Sequence, residues 1–343
     1  MASGIAINAL LNQANPQQII TANGRQYLAC YYKDRYPYPC DENEKERLDF
    51  LNIAIYSVAL RHRPTRAPLK TPARVVDIGC GTGWWAFNLA FTNPDLEIIG
   101  LDLANIQPTP DVLPPNVKFH TPVDITQDDW HQPHESFHLV HQAMLYGAVG
   151  NWFRHYSLVY QYVVPEGYFE LVEIDWCPRC SAPPDPEDRS VFDEWYSGMV
   201  EASEEIGLPI AYRGDTDIML RRAGFEVEEH LTIPLVCCCG PREKYSPNED
   251  SDTFKMADDM MSWMRSAMGV DGMGDWPGRW SGFMMELFTR FKGYSQAEVE
   301  ALDRRLCHAV QRPNCPFYFD LHIWLAKKPA TSPSRGRSRA TES

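Results

Sequence analysis

Long apolar runs are missing from this 343-residue chain: no stretch approaches the roughly 18 consecutive apolar residues that a membrane span requires, so no membrane partner is expected. Met1–Gln18 lacks the basic-then-apolar order of a secretory leader, and no Asn-x-Ser/Thr sequon occurs. The expected location is therefore the cytoplasm, with the nucleus open. Positive charge is also scarce. There are 32 Lys and Arg against 46 Asp and Glu, and five of the basic residues fall after Ala326; the body before Lys327, with 27 basic and 45 acidic residues, carries a charge near −18. A body so acidic repels phosphate backbones, which argues against nucleic-acid binding and favours a neutral or cationic ligand.

The ten cysteines do not read as a disulfide framework in so long a chain without signs of secretion, and reduced thiols are expected. Cys177-Pro-Arg-Cys180 is one CxxC pair, with His230 and Cys237-Cys238-Cys239 downstream. A structural zinc site needs four ligands, and one pair at that spacing does not supply them, so no metal is expected. Arg335–Arg339 is short and diluted by Ser and Gly, and reads as a solvated tail.

Residues 1–24 are polar and small and read as a loose lead-in or short helix. Asp41 followed by Glu44 gives a helix start, continued by apolar spacing to about Arg61, and a Pro-rich link closes an N-terminal segment of residues 1–72. From Arg74 the pattern alternates. Val75–Ile78, Glu97–Leu101, Val117–Phe119, Phe137–Val140 and Tyr168–Val172 are short apolar runs, with helical patterns at Trp84–Ala90 and Arg154–Tyr162 between some of them. Such alternation implies βαβ units and a parallel sheet within a domain over 73–329, with a turn at Val164–Gly167 before the fifth strand. Two stretches interrupt it, about 180–215 and 241–300. The second carries Met256, Met260, Met261, Met264 and Met268 at helical spacing, a stripe that reads first as core packing. Residues 330–343 read as a disordered basic tail.

The most informative segment is Arg74–Ala86, a strand running into Gly79, Gly81 and Gly83 and then a helix. Glycines there let the backbone turn sharply and approach a ligand, and the helix start offers unpaired N–H groups. The spacing matches neither a dinucleotide fingerprint nor a P-loop. Asp77, two residues before the first glycine, disfavours a pyrophosphate and suits a cationic amino group. Asp102 ends the second strand, where an acid can take both ribose hydroxyls. Asp124 follows the third strand and can accept from an exocyclic amine such as an adenine N6, with the Ile125 N–H facing a ring nitrogen. Cys80, inside the loop, reads as a small filler.

In this segment the chain resembles the class I S-adenosylmethionine-dependent methyltransferases, on the motif Asp77-Ile-Gly-Cys-Gly-Thr-Gly83. The resemblance implies an α/β fold: a seven-stranded Rossmann-like sheet whose last strand, Phe317–Leu325, runs antiparallel between the fifth and sixth. N-terminal and C-terminal helical insertions would form a substrate lid. It implies S-adenosylmethionine as cofactor, held by Asp77, Gly79, Cys80, Gly81 and Gly83 at the methionine end, by Asp102 with Leu103 at the ribose and by Asp124 with Ile125 at the adenine. His141 and Gln142 would lie beside the methyl group. The flanking Asn23–Tyr27, Tyr36-Pro37, Asp41–Asp49, Asn151-Trp152 and Lys328-Pro329 resemble the fungal LaeA-like methyltransferases. A small-molecule methyl acceptor from secondary metabolism is the first expectation, and a nuclear regulator with a protein partner the alternative. In-line attack on a sulfonium methyl makes a dedicated base optional. If one acts, His141 is the first candidate and Glu173 or Asp175 the second. Tyr146, Trp152 and Trp176 are candidates for an aromatic wall.

Overall fold

The computed structural model describes residues 17–30, 36–60, 62–236, 280–312 and 315–330. The methionine stripe, Cys237–Cys239 and the basic tail from residue 331 lie outside them.

The described end of the lead-in is a hairpin strand, neither loose chain nor short helix. β1 (Ile19–Ala22) pairs antiparallel with β2 (Arg25–Leu28), and the two-residue turn Asn23-Gly24 takes positive φ at both positions, 48° and 72°. That dihedral pair suits the twist of a short hairpin, and Asn-Gly adopts it at little cost. Asp41 then caps α1 (Glu42–Asn52), accepting from the Glu44 N–H, while the Arg25 guanidinium forks onto the same carboxylate at 2.7 Å. The α-helix stops earlier than its apolar spacing predicts. Residues Ile53–Ala59 continue as π-helix, a widening often found beside functional sites.

The remaining strands form one sheet: β3 (Ala73–Ile78), β4 (Leu96–Leu101), β5 (Val117–His120), β6 (Phe137–Ala143), β7 (Val163–Cys180), β8 (Glu226–Val236) and β9 (Phe317–Lys327). Their order is β5-β4-β3-β6-β7-β9-β8, and only β9 runs antiparallel, between β7 and β8. This is the predicted α/β fold. Chain order reverses at β3, so a crevice opens at the carboxyl ends of β3, β4 and β6, where open α/β sheets take ligands. Val163 pairs with Phe137 and Tyr168 with Leu139, so the predicted turn at 164–167 is a bulge within β7, with Glu166 at φ 64°.

The connections are α2 (Trp84–Thr92), α3 (Trp152–Tyr162), α4 (Pro186–Glu205) and α5 (Thr216–Ala223), joined by α6 (Ser281–Phe291) and α7 (Gln296–Gln311) before β9. Helices α4, α6 and α7 pack on one another, and α4 also touches β7. Gly224, left-handed at φ 111°, ends α5 as its position predicts. The end of the described chain is part of the fold. Lys328 is buried, and its ammonium donates to the carbonyls of Tyr160 and Val163 at the end of α3 and to Glu135, each at 2.9 Å.

Register places the chemistry. Across the sheet Phe119, Gly100, Asp77, His141 and Glu170 stand in one row. Asp77, His141 and Glu170 are thus neighbours on one face, and all three are buried.

Candidate active site

A cavity of about 410 Å³ opens at that crevice. One wall carries the predicted motif: Asp77, Gly79, Cys80, Gly81, Asp102, Leu103, Asp124, Ile125 and His141 all line it. The Gly79 and Cys80 N–H groups donate to the Leu101 carbonyl, and the Gly81 N–H donates to Asp102 Oδ2 at 2.7 Å, so the loop is laced to the end of β4. Gly79 needs its missing side chain: its φ is 67°, and a Cβ there would come within 2.6 Å of the Leu145 side chain.

Asp102 Oδ1 also accepts from the Ala104 N–H. Burial pushes its carboxyl up to about 6, against the pull of those two N–H donors. Each oxygen keeps a second lone pair for a ligand hydroxyl. Asp124 is folded onto Thr126, accepting from its N–H and hydroxyl at 3.0 and 2.6 Å. Burial holds the Cys80 thiol well above its usual range, which makes it a filler and not a nucleophile.

Several expected contacts are absent from the cavity wall. Gly83 lies behind it: φ is 80°, and a Cβ would meet the Phe119 ring at 2.3 Å, so this glycine admits an aromatic ring to the loop rather than a ligand. Gln142 points away from His141 by strand alternation. Its amide donates to Glu173 Oε1 at 3.1 Å and accepts from His155 Nε2 at 2.8 Å. Glu173 also lies behind the wall and accepts from the N–H groups of Leu145 and Tyr146, with burial pushing its carboxyl up to about 8. It holds the loop after β6 and has no access to an acceptor.

His141 lines the cavity but does not fit the role of base. Nδ1 is 2.8 Å from Asp77 Oδ1, Nε2 is 2.7 Å from the Tyr56 hydroxyl, and the ring lies flat against Trp85 at 3.7 Å and 3°. Both nitrogens are engaged, and the residue is 0% exposed. Asp175, the other candidate, is held by Arg179 at 2.6 Å and by the Cys177 N–H.

The opposite wall was not legible from motifs. Tyr36, Tyr38, Glu44, Arg47, Leu48 and Leu51 come from the N-terminal segment, and Trp176 and Phe283 from the end of β7 and from α6. Tyr38 stacks on Phe283 at 5.3 Å, Trp176 meets the same ring at 5.1 Å, and Arg47 lies over it while its guanidinium forks onto Glu44. The Tyr38 hydroxyl is buried without a hydrogen-bond partner among the described residues. Of the expected aromatic wall, Tyr146 and Trp176 line the cavity, whereas Trp152 packs behind Tyr146. The available signals were the tyrosine and proline at 36–38, the family-like stretch Asp41–Asp49 and the candidate Trp176, and none of them marked Phe283. Thr82 in the glycine loop donates to Asp49 on α1, which ties the two walls together.

Among the described residues no cluster of three or more His, Cys, Asp or Glu is placed to hold a metal ion, and Cys177 and Cys180 are free thiols. No helix among them is long and apolar enough to cross a membrane.

A methyltransferase-domain family model matches residues 53–230. The secondary metabolism regulator LAE1 of Cochliobolus heterostrophus is 30% identical over 317 residues, covering 90% of this chain and 94% of that protein. The secondary metabolism regulator laeA of Aspergillus flavus is 30% identical over 329 residues, covering 95% and 82%. The protein-methionine methyltransferase laeA of Emericella nidulans is 34% identical over 229 residues, 65% of this chain and 59% of that protein. With its sheet order, its glycine loop and these relatives, the chain belongs to the methyltransferase domain family, as a LaeA-like S-adenosylmethionine-dependent methyltransferase.

Proposed function

We propose that this chain holds S-adenosylmethionine between the glycine loop and the N-terminal segment and methylates a protein side chain whose accepting atom has no proton to lose, as a regulator of secondary metabolism. The wall fits that cofactor. Asp77 Oδ2 makes no hydrogen bond among the described residues and suits an ammonium, the backbone at Gly79 and Gly81 leaves room for the amino-acid part, Asp102 faces the ribose with Leu103, and Asp124 and Ile125 face the adenine. Bound there, the cofactor supplies an electrophilic methyl group on a sulfonium.

The observation that carries the choice of acceptor is that the lining carboxylates with open oxygens, Asp77, Asp102 and Asp124, are the ones assigned to the cofactor, while the other lining acid and histidines are poor bases. His141 is engaged at both nitrogens, Arg47 clamps Glu44, and burial lowers His155 to about 3. An alcohol or an ammonium must shed a proton on methylation, whereas a thioether sheds none and becomes a sulfonium. The aromatic faces of Tyr38, Trp176 and Phe283 favour both a thioether and the cation it becomes. The name of the Emericella nidulans relative supports the same acceptor. We place this action in the cytoplasm or nucleus. A planar small-molecule acceptor is the second reading, favoured by the same aromatic wall.

Incubating the protein with a cell extract and S-adenosylmethionine labelled in the methyl group separates the two. Label precipitating with protein and located on methionine sulfur is expected. Label found only in organic-soluble small molecules, or on lysine nitrogen, overturns the thioether assignment.

A further inference from the structure

We infer that Tyr56 and His141 form a positioning relay that presets the Asp77 carboxylate for the ammonium group of the cofactor. The inference rests on the reading of the cavity as an S-adenosylmethionine site. The Asp77 carboxylate can only accept, so His141 Nδ1 carries the proton between them at 2.8 Å. With that proton on Nδ1, the relay takes Nε2 as the acceptor of the Tyr56 hydroxyl, which lies 2.7 Å away. Burial holds the Tyr56 phenol well above its usual pKa, so the donor keeps its proton. The imidazole cannot swing, because it lies flat against Trp85, whose own indole N–H is fixed on the Pro64 carbonyl. One Asp77 oxygen is thereby fixed, and Oδ2 is left for a ligand.

The relay starts in an unexpected place. Tyr56 lies in the π-helical segment that continues α1, the helix that supplies Arg47, Leu48 and Leu51 to the opposite wall. Docking of that N-terminal segment and the aim of Asp77 are therefore one event. A chain with the segment displaced loses the aim of its ammonium-binding oxygen as well as one wall.

S-adenosylhomocysteine and 5′-methylthioadenosine share the nucleoside part, but only the first carries an ammonium group, and that difference gives the test. Tyr56→Phe is expected to weaken S-adenosylhomocysteine by roughly two- to tenfold, the worth of one hydrogen bond, and to leave methylthioadenosine affinity unchanged. In an Asp77→Asn background, which already lacks the charge, Tyr56→Phe is expected to add nothing. Equal losses for the two ligands, or no loss for either, overturn the relay. Failure of the wild-type protein to bind S-adenosylhomocysteine at all overturns instead the reading of the cavity on which it rests.

Discussion

Glu173 shows how a residue that looks catalytic by position becomes structural by contact. It sits at the end of the fifth parallel strand, where an acid can meet a substrate, yet its oxygens face two backbone N–H groups and the Gln142 amide. Burial raises its carboxyl from the usual 4.5 to about 8, so the folded state binds a proton that the unfolded state has released across that interval. Its contribution to stability is full below about pH 4.5 and is lost as pH rises through about 8, by an amount on the order of a few kcal/mol. Glu173→Gln, which keeps the shape and removes the titration, is expected to make the change in unfolding temperature from pH 5 to pH 8 less negative than in the wild type, where buried His155 works in the opposite direction up to about pH 6.5. Glu170, raised in the same direction by burial, leaves a residual slope. A variant whose unfolding temperature falls as steeply as that of the wild type contradicts the assignment.

Among the elements, the glycine loop and α2 depend on a close approach of aromatic and backbone. The Phe119 ring lies where a side chain at Gly83 would stand, and φ at Gly83 is 80°. Gly83→Ala is expected to cost about 1–3 kcal/mol in chemical denaturation through clash and backbone strain together. A cost below about 0.5 kcal/mol, the scale of an ordinary surface change, speaks against that packing. The strands, α2 and the sheet order were legible because each is written locally, in apolar runs and in the loop Asp77–Gly83. The acids Asp77, Asp102 and Asp124 were legible because strand ends fix their place. What a strand end does not fix is the side on which a residue points and what already occupies it. His141 and Gln142 are adjacent in sequence and face opposite sides, and only the register with β3 and β7 shows that His141 is engaged by its neighbours. The π-helical Ile53–Ala59 was illegible for a related reason, since its apolar spacing satisfies an α-helix equally well. Asn23-Gly24 is a readable hairpin signal at the end of a stretch whose composition reads as a loose lead-in or short helix.

The whole molecule joins segments far apart in the chain around one cavity. Tyr38, Trp176 and Phe283 meet across more than half of the sequence, so no motif marks them as a group. Net charge acts at the same scale: a chain at −14 favours a cationic sulfonium cofactor electrostatically. Asp102, the carboxylate proposed for the ribose, is half-buried and shared with the glycine loop, so Asp102→Ala is expected to cost about 1.5–3 kcal/mol of cofactor binding, the value of a hydrogen bond to a charged group. The most direct measurement is calorimetric titration of the protein with S-adenosylhomocysteine, wild type beside Asp102→Ala. One site per chain at micromolar affinity, weakened roughly ten- to hundredfold in the variant, is the expected result. No saturable binding by the wild type, or equal binding by both proteins, contradicts the placement of the cofactor in this cavity.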